Sequence, residues 1–226
     1  MDATAQYRAA RDQLLDLRGR HEEAVQQFTW PDLGPTFNWA VDWFDVIARG
    51  NDRRALVVVE EDGSSSEVSF DAMATRSDRV ATWLAGLGVG RGDRVMLMLG
   101  NQLELWDCML AVIKLGAVIM PTATAAGPAD LVDRIVRGAA TVVVTTPEQT
   151  GKFADVPGRL LRVCTADAEG CEDLRTAYTI DVPPVPHPGT APSDPLLLYF
   201  TSGTTSRPKL VEHTQVSYPV GHLSTM

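Results

Sequence analysis

The chain has 226 residues, 45% of them hydrophobic and 22% charged, with a formal net charge of −9. That length buries a sizeable core, and the apolar share excludes general disorder. The acidic balance excludes a general nucleic-acid or anionic-membrane binder, which needs a basic face, but not an anionic small ligand held by a few local donors.

Residues 3–27 set Leu14, Leu15, Leu17 and Val25 among alternating charges and read as one surface helix. Charges spread from Asp2 to Glu23 exclude a secretory signal and make the cytoplasm the expected location. Residues 28–44 are rich in aromatics and read as a chain lying over the domain and then entering a short helix, with the rings in the core. Residues 55–60 and 67–70 form two β-rich runs around a turn at 61–63, the pattern of a hairpin. A helical period then runs through Met73, Val80, Leu84 and Leu87, with Ser69 as its cap.

After Gly88 the sequence alternates buried strands with helical segments. Strands are predicted at 94–99, 118–121 and 141–145, and helices at 104–115 and 130–137. Apolar strands joined by helical crossovers imply a mostly parallel sheet covered on both faces, so the fold class is α/β. The apolar stretch 109–124 contains Lys114, Gly116 and Pro121 and is too short to span a bilayer. Cys108, Cys164 and Cys171 show no metal or CxxC spacing; Cys108 reads as a buried, inert thiol, and scattered thiols suit a reducing compartment.

Residues 181–195 hold six of the 14 prolines and exclude a stable helix. This divides the chain into a helix and surface arm (1–35), an α/β subdomain (36–180), a Pro-rich linker (181–195) and the start of a second subdomain (196–226). That last part opens with a strand at 196–200 and a loop.

The loop reads Thr201-Ser202-Gly203-Thr204-Thr205-Ser206-Arg207-Pro208-Lys209. Four hydroxyls surround a glycine, a geometry that turns backbone N–H groups and hydroxyls toward one point. Lys209 adds a full charge, and charge-assisted donors of this kind suit a polyphosphate. Neither GxxxxGK[ST] nor a GxGxxG after a strand occurs, so neither a P-loop nor a nicotinamide-binding Rossmann unit is supported. Arg207 and His213, the latter read as starting a helix, are weaker candidates. Asp42, Asp93 and Glu104 make no acid/base pair, so no catalytic residue and no metal ligand is assigned.

The segment 199–209 resembles the phosphate loop of the adenylate-forming (AMP-binding) superfamily: acyl-CoA synthetases, adenylation domains and luciferases. Val68-Ser69-Phe70-Asp71-Ala72-Met73, Gly90-Arg91-Gly92-Asp93-Arg94-Val95 and the run MLAVIKLGAVIMP at 109–121 are similar to further stretches of that superfamily, in the same order. Phe37-Asn38-Trp39-Ala40-Val41-Asp42 and Val211-Glu212-His213 are most similar to the medium-chain acyl-CoA synthetase group.

The resemblance implies a two-step reaction in which a carboxylic acid, a fatty acid by subgroup, is activated with ATP to an acyl-adenylate and passed to coenzyme A. It implies that Thr201, Ser202, Gly203, Thr204, Thr205, Ser206 and Lys209 hold the nucleotide phosphates together with Mg²⁺. Ser206 departs from the family, which has glycine there. Family members continue well past the equivalent of Met226, so the catalytic lysine and most of the acyl pocket are expected outside this chain, and the chain alone is expected to be inactive. An aryl-CoA ligase, a carrier-protein-loading adenylation domain and a non-catalytic scaffold remain the alternatives.

Overall fold

The computed structural model describes residues 2–201 and 208–225. At its centre is a seven-stranded sheet in the order β7-β6-β5-β3-β4-β8-β9. Its strands are β3 (Arg94–Met98), β4 (Val118–Pro121), β5 (Val142–Thr145), β6 (Leu161–Cys164), β7 (Glu172–Asp173), β8 (Pro195–Thr201) and β9 (Lys209–Thr214). All neighbours are parallel except β8 and β9. The three strands predicted at 94–99, 118–121 and 141–145 are thus adjacent and parallel, with β3 between the other two.

Successive residues of β3 serve opposite faces. Val95 and Leu97 join the larger core, with the helices α4 (Phe70–Gly86) and α5 (Leu103–Lys114). Met96 and Met98 join the smaller core on the other face, with α6 (Pro128–Gly138). Burial on both faces is why these strands are apolar throughout rather than alternating. Ser69 caps α4, its hydroxyl accepting from the Ala72 N–H at 3.2 Å. The hairpin β1 (Arg54–Val59) and β2 (Ser65–Ser69) forms a separate antiparallel pair leading into α4.

Three expectations are corrected. Residues 3–27 form two helices, α1 (Ala3–Asp16) and α2 (His21–Gln27), separated by a turn through Gly19. The strands β6 and β7 extend the sheet where none was predicted; both are short, and β7 is two acidic residues. His213 lies in β9, not at a helix start, because 209–214 pairs along β8.

Long-range ties hold the amino-terminal arm and the Pro-rich segment down. A π-helical turn, Trp39–Phe44, runs into α3 (Asp45–Ala48). Before it, the buried Asn38 caps the turn at Val41 N–H (3.2 Å) and donates to the carbonyl of Ile113 (2.7 Å) and the hydroxyl of Thr190 (3.3 Å). Phe37 N–H donates to Thr190 O at 2.8 Å. Phe37 and Trp43 cluster with Tyr7, Val220 and Leu223 in a third core and Phe44 joins the larger one, whereas Trp30, expected in the core, is exposed.

One polar group lies deep between the helices. Lys114 is fully buried at the end of α5; its Nζ is 2.7 Å from Asp78 Oδ1 and 2.9 Å from Asp45 Oδ1. Arg49 closes the ring at 2.6 Å from Asp45 and 2.8 Å from Asp78. Burial nevertheless pushes the Asp45 carboxyl up, against the pull of Lys114 and Arg49.

Candidate functional site

The two ends of the predicted loop, Thr201 and Lys209, close β8 and open β9. Since β8 runs parallel to β4, these two residues stand at the carboxyl end of the parallel sheet, where open α/β sheets bind their ligands. Antiparallel pairing sets Thr201 directly opposite Lys209. Both are exposed. Thus the first hydroxyl and the only ammonium of the predicted set share one cross-strand position. Ser202, Gly203, Thr204, Thr205 and Ser206 lie outside the described residues, as does Arg207.

Among the described residues no carboxylate forms an ion pair with Lys209. Among them, too, no cluster of three or more His, Cys, Asp or Glu stands ready for a metal ion. No helix among them is long and apolar enough to cross a membrane.

The base of the loop rests on α6. Arg134 and Arg137 hold the ring of Phe200, with guanidinium carbons 5.2 and 5.3 Å from its centroid. Arg137 also donates to the carbonyl of Pro208 at 2.8 Å. Sequence reading missed both arginines. Their spacing to Asp130 and Asp133 was a visible signal, but i,i+4 pairs usually mark a solvated helix face.

On the other face of β8, Tyr199 borders a cavity of about 640 Å³ whose walls include Trp39, Phe44, Phe70, Met73, Trp106 and Met109. Its walls also include Tyr7, Tyr218 and His222. Tyr199 and Tyr218 hydroxyls are 3.2 Å apart, and His213 packs edge-on against both rings. Burial, with the Tyr218 hydrogen bond second, pushes the Tyr199 phenol up to about 12. Cys108 is buried and its thiol is driven well above the usual range by desolvation, so it offers no nucleophile.

Comparison with known proteins agrees with this arrangement. The profile of the AMP-binding enzyme family matches residues 43–225. The human mitochondrial acyl-coenzyme A synthetase ACSM5 is 30% identical over 202 residues, 84% of this chain and 35% of that protein. The 4-hydroxybutyrate–CoA ligase 1 of Metallosphaera sedula is 30% identical over 192 residues, 84% of this chain and 34% of that protein. The crystal structure of an acyl-CoA synthetase from Brucella canis superposes with a TM-score of 0.76 at 27% identity, covering 87% of this chain and 38% of that one. The chain therefore spans about a third of the length of these relatives. With its mostly parallel sheet and a profile match over residues 43–225, the chain belongs to the AMP-binding enzyme family of adenylate-forming ligases.

Proposed function

We propose that this chain supplies the polyphosphate-gripping part of an ATP-dependent acid–thiol ligase that converts a carboxylic acid into its coenzyme A thioester. The observation that carries the reading is the ordered string from Thr201 to Lys209, whose two ends close β8 and open β9 at the carboxyl end of a parallel sheet. In the reaction proposed, a carboxylate oxygen attacks the α-phosphorus of ATP and pyrophosphate leaves. The sulfur of coenzyme A then attacks the acyl carbon and AMP leaves. Such displacement needs alignment and charge neutralisation more than covalent help from the protein. Thr201, Ser202, Gly203, Thr204, Thr205 and Ser206 donate to the β- and γ-phosphates in this reading, and Lys209 offsets their charge. A Mg²⁺ ion, if bound by the phosphate oxygens beside these residues, would supply further charge neutralisation. The cavity walled by Phe70, Met73 and Met109 favours an apolar, fatty-type acid. Spanning a third of its relatives, the chain alone binds polyphosphate and does not turn over.

The test is internal to one variant of the complete protein that carries this chain. Lys209→Ala is expected to slow adenylate formation roughly ten- to two-hundredfold, the equivalent of one charge-assisted contact of about 1.5–3 kcal/mol. Thioester formation from pre-made acyl-adenylate should be nearly unchanged, because pyrophosphate has already left. Equal losses in both half-reactions, or none in the first, would remove Lys209 from the site.

A further inference from the structure

The two described ends of the loop meet one helix. Phe200 immediately precedes Thr201, Pro208 immediately precedes Lys209, and Thr201 pairs with Lys209 across the hairpin. Arg137 touches both approaches, stacking over the Phe200 ring and donating to the Pro208 carbonyl at 2.8 Å. A proline has no N–H, so this carbonyl is the only backbone group at 208 through which the strand can be held. Arg134 braces the same ring. Neither guanidinium swings freely: Asp130 holds Arg134 and Asp133 holds Arg137, each at 2.9 Å.

The helix end also sits unusually close. A β-carbon at Gly138 would fall 2.2 Å from the tip of the Met120 side chain on β4, which would have to shift, and 3.7 Å from Phe200 Cε2, an ordinary contact with β8. The Gly138 carbonyl in turn accepts from Arg94 at 3.0 Å, which anchors the helix end to β3.

We propose that Arg137, backed by Arg134, is a positioning residue for nucleotide use: it fixes the two approaches of the loop so that the Thr201 hydroxyl and the Lys209 ammonium face one phosphate group together. A planar guanidinium can stack on a ring and donate sideways at the same time, which an ammonium cannot. This assignment rests on the phosphate reading of Lys209.

The experiment uses the complete protein with Arg137→Ala, Arg137→Lys, Phe200→Leu and Lys209→Ala, and Arg175→Ala on the distant sheet edge as control. Folding of each is verified by circular dichroism and a thermal melt. Arg137→Ala is expected to raise the KM for ATP about tenfold in adenylate formation, the scale of one charge-assisted contact. KM for the acid, and the thioester half-reaction, should stay within about twofold. Phe200→Leu, which keeps apolar bulk but removes the ring, should reproduce part of the ATP effect. Arg137→Lys, which keeps the donor and loses the stack, should fall between Ala and the parent. If Arg137→Ala does not fold, Arg137→Lys and Phe200→Leu carry the same comparison. A normal ATP KM in the folded Arg137 and Phe200 variants, beside a raised one in Lys209→Ala, would overturn the assignment and leave the phosphate reading standing. A normal ATP KM in Lys209→Ala as well would remove both. Equal rises for ATP, acid and coenzyme A would mean that Arg137 only stabilises the fold, which also overturns it.

Discussion

Lys114 shows how a single side chain can carry a disproportionate share of the structure. It is fully buried, yet it faces Asp45 and Asp78, which Arg49 ties together from the other side. Removing one partner from such a ring strands the others in low dielectric. Lys114→Met, which keeps the stem's volume, is therefore expected to lower stability by about 3–5 kcal/mol, read as a fall in the denaturant midpoint. Adding Asp45→Asn should recover part of that loss, because one uncompensated charge is gone. Tyr199 gives a second, pH-dependent case. Its phenol is held up to about 12 against an ordinary value of 10.0. Its folded pKa is raised, so its contribution to stability is complete below pH 10 and is lost as pH rises toward 12. Tyr199→Phe should make the fall in stability over that interval shallower, and a spectroscopic phenolate titration should lose one late-titrating group while Tyr7 and Tyr178, also raised by burial, remain.

At the scale of elements, the segment around Asn38 works as a staple. The one side chain caps the π-helical turn, ends α5 through Ile113 and holds the Pro-rich crossing through Thr190. Asn38→Ala leaves a buried carbonyl and an uncapped turn, at an expected cost of about 3 kcal/mol. Rapid proteolysis near 181–194 beside an intact core would show that the crossing has come loose. Elements with strong local signals were legible in the sequence: α4 with its Ser69 cap, α5, and the β1–β2 hairpin all follow period and turn chemistry. Elements defined by their neighbours were not. Leu161–Cys164 and Glu172–Asp173 are too short to show a period, and Leu210-Val211-Glu212-His213 becomes a strand only because β8 lies beside it. The site divides in the same way. The string from Thr201 to Lys209 is local and could be read directly, whereas the grip of Arg137 on Pro208 joins residues 71 positions apart, and no pattern within α6 announces it.

For the whole molecule, the sheet's two edges differ. One ends in β7, two acidic residues long, a form that discourages further pairing. The other ends in β9, six residues whose first four are exposed, with Leu210 and Val211 each 36% accessible. Such an edge offers unpaired backbone donors and acceptors beside apolar side chains, and only Lys209 and Glu212 interrupt it with charge. The sheet can therefore add a strand in one direction only. Self-association of the chain should begin at β9 and grow with concentration, while the β7 edge stays inert. Val211→Lys, which adds charge to this exposed edge outside the buried core clusters, is expected to raise the concentration at which light scattering first appears. An equal onset for the parent chain and the variant would locate the aggregation-prone surface elsewhere.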